Sequence, residues 1–194
     1  MENKNLILII SFIVIVLLAG GFVLLQNQKI AGMQEKDSRL ILNNPKIEII
    51  DSEKTESFQY SNGSMPLDCC AEDWQRIRLD KLIGGGQSRL CLFAHPRNNA
   101  TVNLIYEKIR IKKAISFNTA IADIMVTGQN SPVYIDVYIN DVFLERITQL
   151  DKRGWFAKDV STENYENKLA DIKLAISSDN NFQRHFCFDT EIID

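Results

Sequence analysis

The chain has 194 residues, 45% of them hydrophobic and 24% charged, with a net charge of −3 at pH 7. That balance gives no basic footprint for nucleic acid, and no internal repeat or low-complexity tract is visible. The length is ample for one hydrophobic core.

The first element is an apolar run. Residues 6–25 read LILIISFIVIVLLAGGFVLL, twenty residues without a charge and with one hydroxyl, Ser11. At about 1.5 Å per residue such a helix spans about 30 Å, the hydrocarbon thickness of a bilayer. In lipid a lone apolar segment must satisfy its own backbone hydrogen bonds, which a helix does. A cleaved signal peptide would carry an apolar region of about 7–15 residues ending in an A-x-A-like site. The sequence Leu24-Leu25-Gln26-Asn27 offers none. The expectation is therefore one uncleaved N-terminal transmembrane helix. Lys4 precedes it, and Lys29, Lys36 and Arg39 follow it, so a literal positive-inside count slightly favours a cytoplasmic domain. Four cysteines in the folded part point the other way. So do two N-x-S/T sequons, at Asn62 and Asn99. The expected orientation is N-terminus inside and domain outside.

Residues 26–57 are polar with scattered charge, and Asn43-Asn44-Pro45 breaks any helix between their short apolar patches. This reads as a membrane-proximal stalk with one strand at Lys46–Ile50. A compact domain is expected over residues 58–194. Its periodicity is mostly two, the strand period. Ile115, Phe117, Thr119 and Ile121 alternate with Ser116, Asn118 and Ala120. The same alternation recurs through Val133, Val137 and Ile139, through Ile172, Leu174 and Ile176, and through Phe186, Phe188 and Ile192. Shorter strands are expected at residues 90–94, 102–106 and 108–112. Asn140-Asp141 marks a hairpin turn, because Asn and Asp tolerate positive φ. A short helix is expected near residues 162–168. Many short strands with one apolar face each must bury those faces against a second sheet. The fold class is all-β, an antiparallel β-sandwich or jelly roll behind one transmembrane α-helix.

The segment Cys91-Leu92-Phe93-Ala94-His95-Pro96 resembles the opening strand of galactose-binding-like β-sandwich modules. These include carbohydrate-binding modules attached to glycoside hydrolases. Residues 133–141, VYIDVYIND, resemble their mid-domain hairpin, with Asp141 where glycine is usual. Trp155 after Gly154 and the closing stretch His185-Phe186-Cys187-Phe188-Asp189 complete the likeness, which covers roughly residues 67–193. It implies that the first and last core strands are neighbours. The same sandwich serves glycan binding, lipid binding and purely structural roles.

Four cysteines, Cys69, Cys70, Cys91 and Cys187, allow three pairings. The resemblance favours Cys91 with Cys187, since both stand out of phase with the apolar residues of their strands. A bridge between Cys69 and Cys70 would be vicinal, and either could instead bond one of the other two. Reduced, buried cysteines would suit a cytoplasmic domain, and a four-cysteine zinc site lacks the usual spacing. His95 and His185 approach each other if the first and last strands pair. They could hydrogen-bond a glycan, or His95 could stabilise the turn at Pro96. Trp74 and Trp155 are candidate platforms for a sugar ring, and core-capping is the alternative for each. Tyr134 and Tyr138 project from the polar face of their strand, and Tyr134 is a further candidate ligand contact. Asp189 and Glu191 are candidates for a structural Ca²⁺; no other cofactor is implied. Gly84-Gly85-Gly86 lacks the Gly-Lys-Ser/Thr of a phosphate loop and reads as a flexible turn. No catalytic motif is present: H-E-x-x-H and G-x-S-x-G are both missing.

The expected function is a membrane-anchored extracytoplasmic binding module, with carbohydrate or a cell-surface glycan as its partner. The alternative is a non-catalytic structural or assembly subunit of a membrane or envelope complex, and a hydrolase ranks third.

Overall fold

A computed structural model describes residues 38–66, 69–70 and 72–194. The expected anchor at residues 6–25 lies outside them. Among the described residues no helix is long and apolar enough to cross a membrane.

The described residues form eleven strands in two antiparallel sheets. They are β1 Lys46–Ile50, β2 Thr55–Gln59, β3 Arg78–Gly84, β4 Gln87–Phe93, β5 Thr101–Arg110, β6 Ala114–Ile121, β7 Val133–Ile139, β8 Val142–Gln149, β9 Phe156–Ser161, β10 Leu169–Ser178 and β11 Phe186–Ile193. The six-stranded sheet has the order β2-β1-β5-β10-β7-β8, and the five-stranded sheet the order β3-β4-β11-β6-β9. The described residues form an all-β sandwich.

Alternation decides which face is buried. In β7, Val133, Ile135, Val137 and Ile139 are buried while Tyr134, Asp136 and Tyr138 are half-buried on the other face. Leu104 of β5 and Leu174 of β10 join them on the six-stranded side. Phe117 of β6 with Phe186 and Phe188 of β11 face them from the five-stranded side. Burying each such side chain contributes about 1.5–3 kcal/mol. Asn140 and Asp141 both have positive φ, 48° and 62°, as the tight hairpin between β7 and β8 requires.

Three expectations are corrected. The domain begins before residue 58: β1 and β2 belong to the six-stranded sheet, and Leu40, Ile41 and Ile47 are buried in the core. Ile47 and Ile49 alternate with charged residues, so once paired with β5 they have the same reason to bury as any other strand. The strands expected at residues 102–106 and 108–112 are one strand, β5. It is bulged where Lys108 takes a φ of 54° and donates its backbone N–H to Asp171. The helix expected near residues 162–168 is a single 3-10 turn, Glu163–Tyr165.

Candidate functional site

The outer face of the five-stranded sheet carries a second, small apolar cluster. Cys91 and Phe93 of β4, Ala120 of β6 and Cys187 of β11 point away from the core, because each alternates with a core residue. Cys91 and Cys187 form a disulfide with Cα atoms 5.8 Å apart. Cys69 and Cys70 form the second disulfide, the vicinal pairing that the resemblance had not favoured.

The β3–β4 hairpin lies against this face. Its turn residues Gly85 and Gly86 have φ of 59° and 75°, and both donate backbone N–H groups to the Asp123 carboxylate, at 2.7 and 2.9 Å. Those bonds, from Gly86 and then Gly85, hold Asp123 below the usual carboxylate range. A Cβ added at Gly84 would come within 2.9 Å of Ala120 Cβ, so the close approach requires glycine there. The turn expected to be flexible is thus tied at its tip. The Trp155 indole N–H donates to the Gln87 carbonyl oxygen at 3.0 Å, fixing the same hairpin from the other side.

Beside the hairpin lies a cleft of about 370 Å³. β3 supplies Arg78, Asp80, Lys81, Leu82 and Ile83 to its lining. Trp74 comes from a 3-10 turn, Asp73–Gln75, and Asp123 and Ile124 come from the segment after β6. Phe93 and His185 complete the apolar and aromatic part. The aromatic rings form one cluster. Trp74 and His95 have ring centroids 4.5 Å apart, His95 and His185 5.5 Å, and Phe93 and His185 5.7 Å. His95 ends the segment after β4 and His185 precedes β11, so the pairing of β4 with β11 brings the two rings together. His95 Nδ1 lies 2.7 Å from the Pro96 carbonyl oxygen, to which a protonated Nδ1 donates. Burial lowers the His95 pKa to about 4, and burial with the nearby Arg78 charge lowers that of His185.

The charges in the cleft are largely committed. Arg78 donates through Nε to Asp80 at 3.2 Å, and its guanidinium lies 4.6 Å from the Phe93 ring centroid. Asp73 accepts from Arg76 at 2.8 Å. Among the described residues nothing hydrogen-bonds the Trp74 indole N–H, the Lys81 ammonium or the His185 ring. These three groups remain open to a ligand.

A buried ion pair fixes the segment that carries Asp123 and Ile124. Arg184 is fully buried, and its Nη1 lies 3.0 Å from Asp151 Oδ1. Arg184 also donates to the carbonyls of Met125, Ser131 and Phe182. Asp151 accepts from Thr127 and from the backbone N–H groups of Gln129 and Asn130. Burial works against the Asp151 charge, but the Asn130 N–H and Arg184 hold its pKa below the usual range.

The sequence candidates divide accordingly. Trp74, His95 and His185 come together at the cleft. Trp155 does not line it; its indole N–H is spent on the hairpin and its ring faces the Arg89 guanidinium at 5.4 Å. Tyr134 stands on the outer face of the other sheet. Its hydroxyl donates to Asp179, and Arg146 lies over its ring at 4.9 Å. Asp189 and Glu191 are not arranged for Ca²⁺. Both Asp189 oxygens accept from Arg39 at 2.8 Å, and Glu191 accepts from Ser38 Oγ. Among the described residues no group of three or more His, Cys, Asp or Glu side chains is placed to hold a metal ion. Asn62 and Asn99 are exposed at tight turns, with φ of 52° and 54°. Sequence reasoning passed over Arg78, Lys81, Asp123 and Ile124, and no local motif marks them.

No family model matches the chain, and no curated protein matches it. Several solved structures share similarity. The CBM51 module of Clostridium perfringens GH95, in complex with methyl-galactose, aligns at TM-score 0.41 and 12% identity, over 59% of this chain and 80% of that one. A structure of CBM51-2 and INT domains from Clostridium perfringens ZmpB aligns at TM-score 0.44 and 12% identity, over 77% and 38%. The C-terminal CBM6 of a laminarinase from Zobellia galactanivorans aligns at 0.37 and 9%, over 75% and 98%.

Proposed function

We propose that this protein is a membrane-anchored, extracytoplasmic module that binds carbohydrate in the cleft beside the β3–β4 hairpin. The observation that carries the reading is the cleft itself. Its volume is in the range of small-ligand sites, and it presents an indole, an imidazole and an ammonium that no other group among the described residues hydrogen-bonds. Aromatic faces and hydrogen-bond donors together suit a sugar, which offers C–H faces and oxygen acceptors. The galactose-binding-like resemblance of residues 67–193 points the same way. Binding fits better than hydrolysis, because Asp73, Asp80 and Asp123 are each engaged by arginine or backbone N–H groups.

Extracytoplasmic placement is supported by the cysteines, all four of which are paired. Exposure of both sequon asparagines supports it further, and the apolar run at residues 6–25 supports the anchor. A glycan array probed with the full chain in mild detergent tests the binding. Binding that is lost in Trp74→Ala with folding retained is the expected result. An array without signal, with Trp74→Ala altering stability alone, removes the reading.

A second reading, a non-catalytic assembly subunit, draws on the β7–β8 hairpin, where Val142 and Phe143 are half exposed side by side. It predicts co-purification with a membrane complex that Phe143→Ser disrupts.

A further inference from the structure

The cleft's polar and apolar groups restrict what kind of sugar it can hold, and this inference rests on the carbohydrate reading above. The carboxylates each already hold an internal donor: Asp80 that of Arg78 and of the Lys81 backbone N–H, Asp123 those of Gly85 and Gly86, and Asp73 that of Arg76. What remains uncommitted is chiefly donating. The Trp74 indole N–H and the Lys81 ammonium have no acceptor capacity at all, and only the His185 ring can act either way. A ligand that offered mainly hydroxyl donors would share those carboxylates with the donors they already hold. One that offered a carbonyl oxygen would find donors waiting.

The apolar side of the cleft is as informative. Ile124 is 85% exposed and Ile83 55% exposed, although both line a concave surface. They come from different elements, Ile83 from β3 and Ile124 from the segment after β6, and Asp123 ties those two elements together at the hairpin tip. Two branched aliphatic side chains on neighbouring elements offer an apolar surface at the same cleft. A bare pyranose has no methyl-sized group to bury there.

We infer that the ligand is an acetamido sugar, whose carbonyl meets the free donors and whose methyl is covered by Ile83 and Ile124. One substituent then satisfies both halves of the cleft. The ammonium of Lys81 and the indole N–H of Trp74 are the donors available to the carbonyl. Burying a single methyl-sized group in such a setting is worth roughly tenfold or more in discrimination.

The test uses the full chain in mild detergent and two matched pairs of probes, chitotriose against cellotriose and N-acetylgalactosamine against galactose, titrated by calorimetry. Members of each pair differ in having an acetamido group or a hydroxyl. The expected result is binding of the acetamido member at least about tenfold tighter. Ile124→Ser is expected to cut that preference severalfold without lowering the melting temperature, since the side chain is mostly exposed. Equal binding of both members of each pair overturns the inference and leaves carbohydrate binding standing. A preference that survives intact in Ile124→Ser and in Ile83→Ser overturns the placement of the methyl group. No binding of any probe, with a silent glycan array, overturns the inference together with the reading it rests on.

Discussion

Replacing Arg184 with methionine removes the cation from a buried ion pair. Methionine fills much of the volume, so the main loss is electrostatic. Asp151 keeps its bonds from Thr127, Gln129 and Asn130 but loses the guanidinium at 3.0 Å. The carbonyls of Met125, Ser131 and Phe182 lose their donor together. Breaking a buried pair from one side costs about 3–5 kcal/mol. The three surviving bonds to Asp151 place the cost near the lower end, about 3 kcal/mol, a large share of a domain's usual 5–15 kcal/mol. Urea unfolding of the full chain in mild detergent reads it. With a slope of about 2 kcal/mol per M the midpoint should fall by roughly 1.5 M at unchanged slope. The double variant Arg184→Met with Asp151→Leu removes both charges and should recover at least half of the loss. A single variant costing under about 1 kcal/mol, or a double variant no better than the worse single, would refute the claim that this pair holds the 125–131 loop in place.

Removing the Cys91–Cys187 bridge, which spans 96 residues of sequence, should cost about 3–5 kcal/mol through the freed unfolded chain; melting of Cys91→Ser with Cys187→Ser against the parent checks it. The His95 pKa near 4 lies below its unfolded value of 6.5, so the unfolded chain takes up the proton first as pH falls. The stability that neutral His95 contributes is whole above about pH 6.5 and declines by up to about 3 kcal/mol on approach to pH 4. The lowered pKa of His185 acts in the same direction, and His95→Asn should flatten the stability–pH slope; an unchanged slope would assign the acid sensitivity elsewhere. Trp155→Phe loses the bond to Gln87 and should cost about 1 kcal/mol while leaving glycan affinity within about twofold, in contrast to Trp74→Ala. Comparable loss of binding in the two variants would contradict the assignment of Trp155 to the hairpin.

The central strands were legible because their burial is one-sided. β1, β6, β7, β10 and β11 each alternate apolar and polar residues, and that alternation is the burial pattern observed. β2, β3 and β9 were not legible. Each is a sheet edge, and β2 and β9 bury little of what they carry: every residue of β9 except Val160 is exposed. Edge strands are held by one neighbour's hydrogen bonds, which leave no mark in residue type. The site was half legible for a similar reason. Trp74, His95 and His185 are scarce residue types that invite attention singly, and the strand order brought His95 to His185. Arg78 and Asp123 become site residues only because the β3–β4 hairpin lies across the outer face, a tertiary event that glycines permit but do not announce. Trp155 and Tyr134 look like platforms in sequence, and their indole and hydroxyl groups turn out to be used internally.

Ser38 and Arg39, the first residues described, are stitched to the last strand. Ile192 donates its backbone N–H to the Ser38 carbonyl, and Arg39 grips Asp189 with two bonds. β11 is also the middle strand of its sheet and is covalently tied to β4 through Cys187. A pull transmitted along the chain ahead of Ser38 therefore arrives in the best-supported strand of the sandwich and spreads into β4 and β6 before any edge strand bears load.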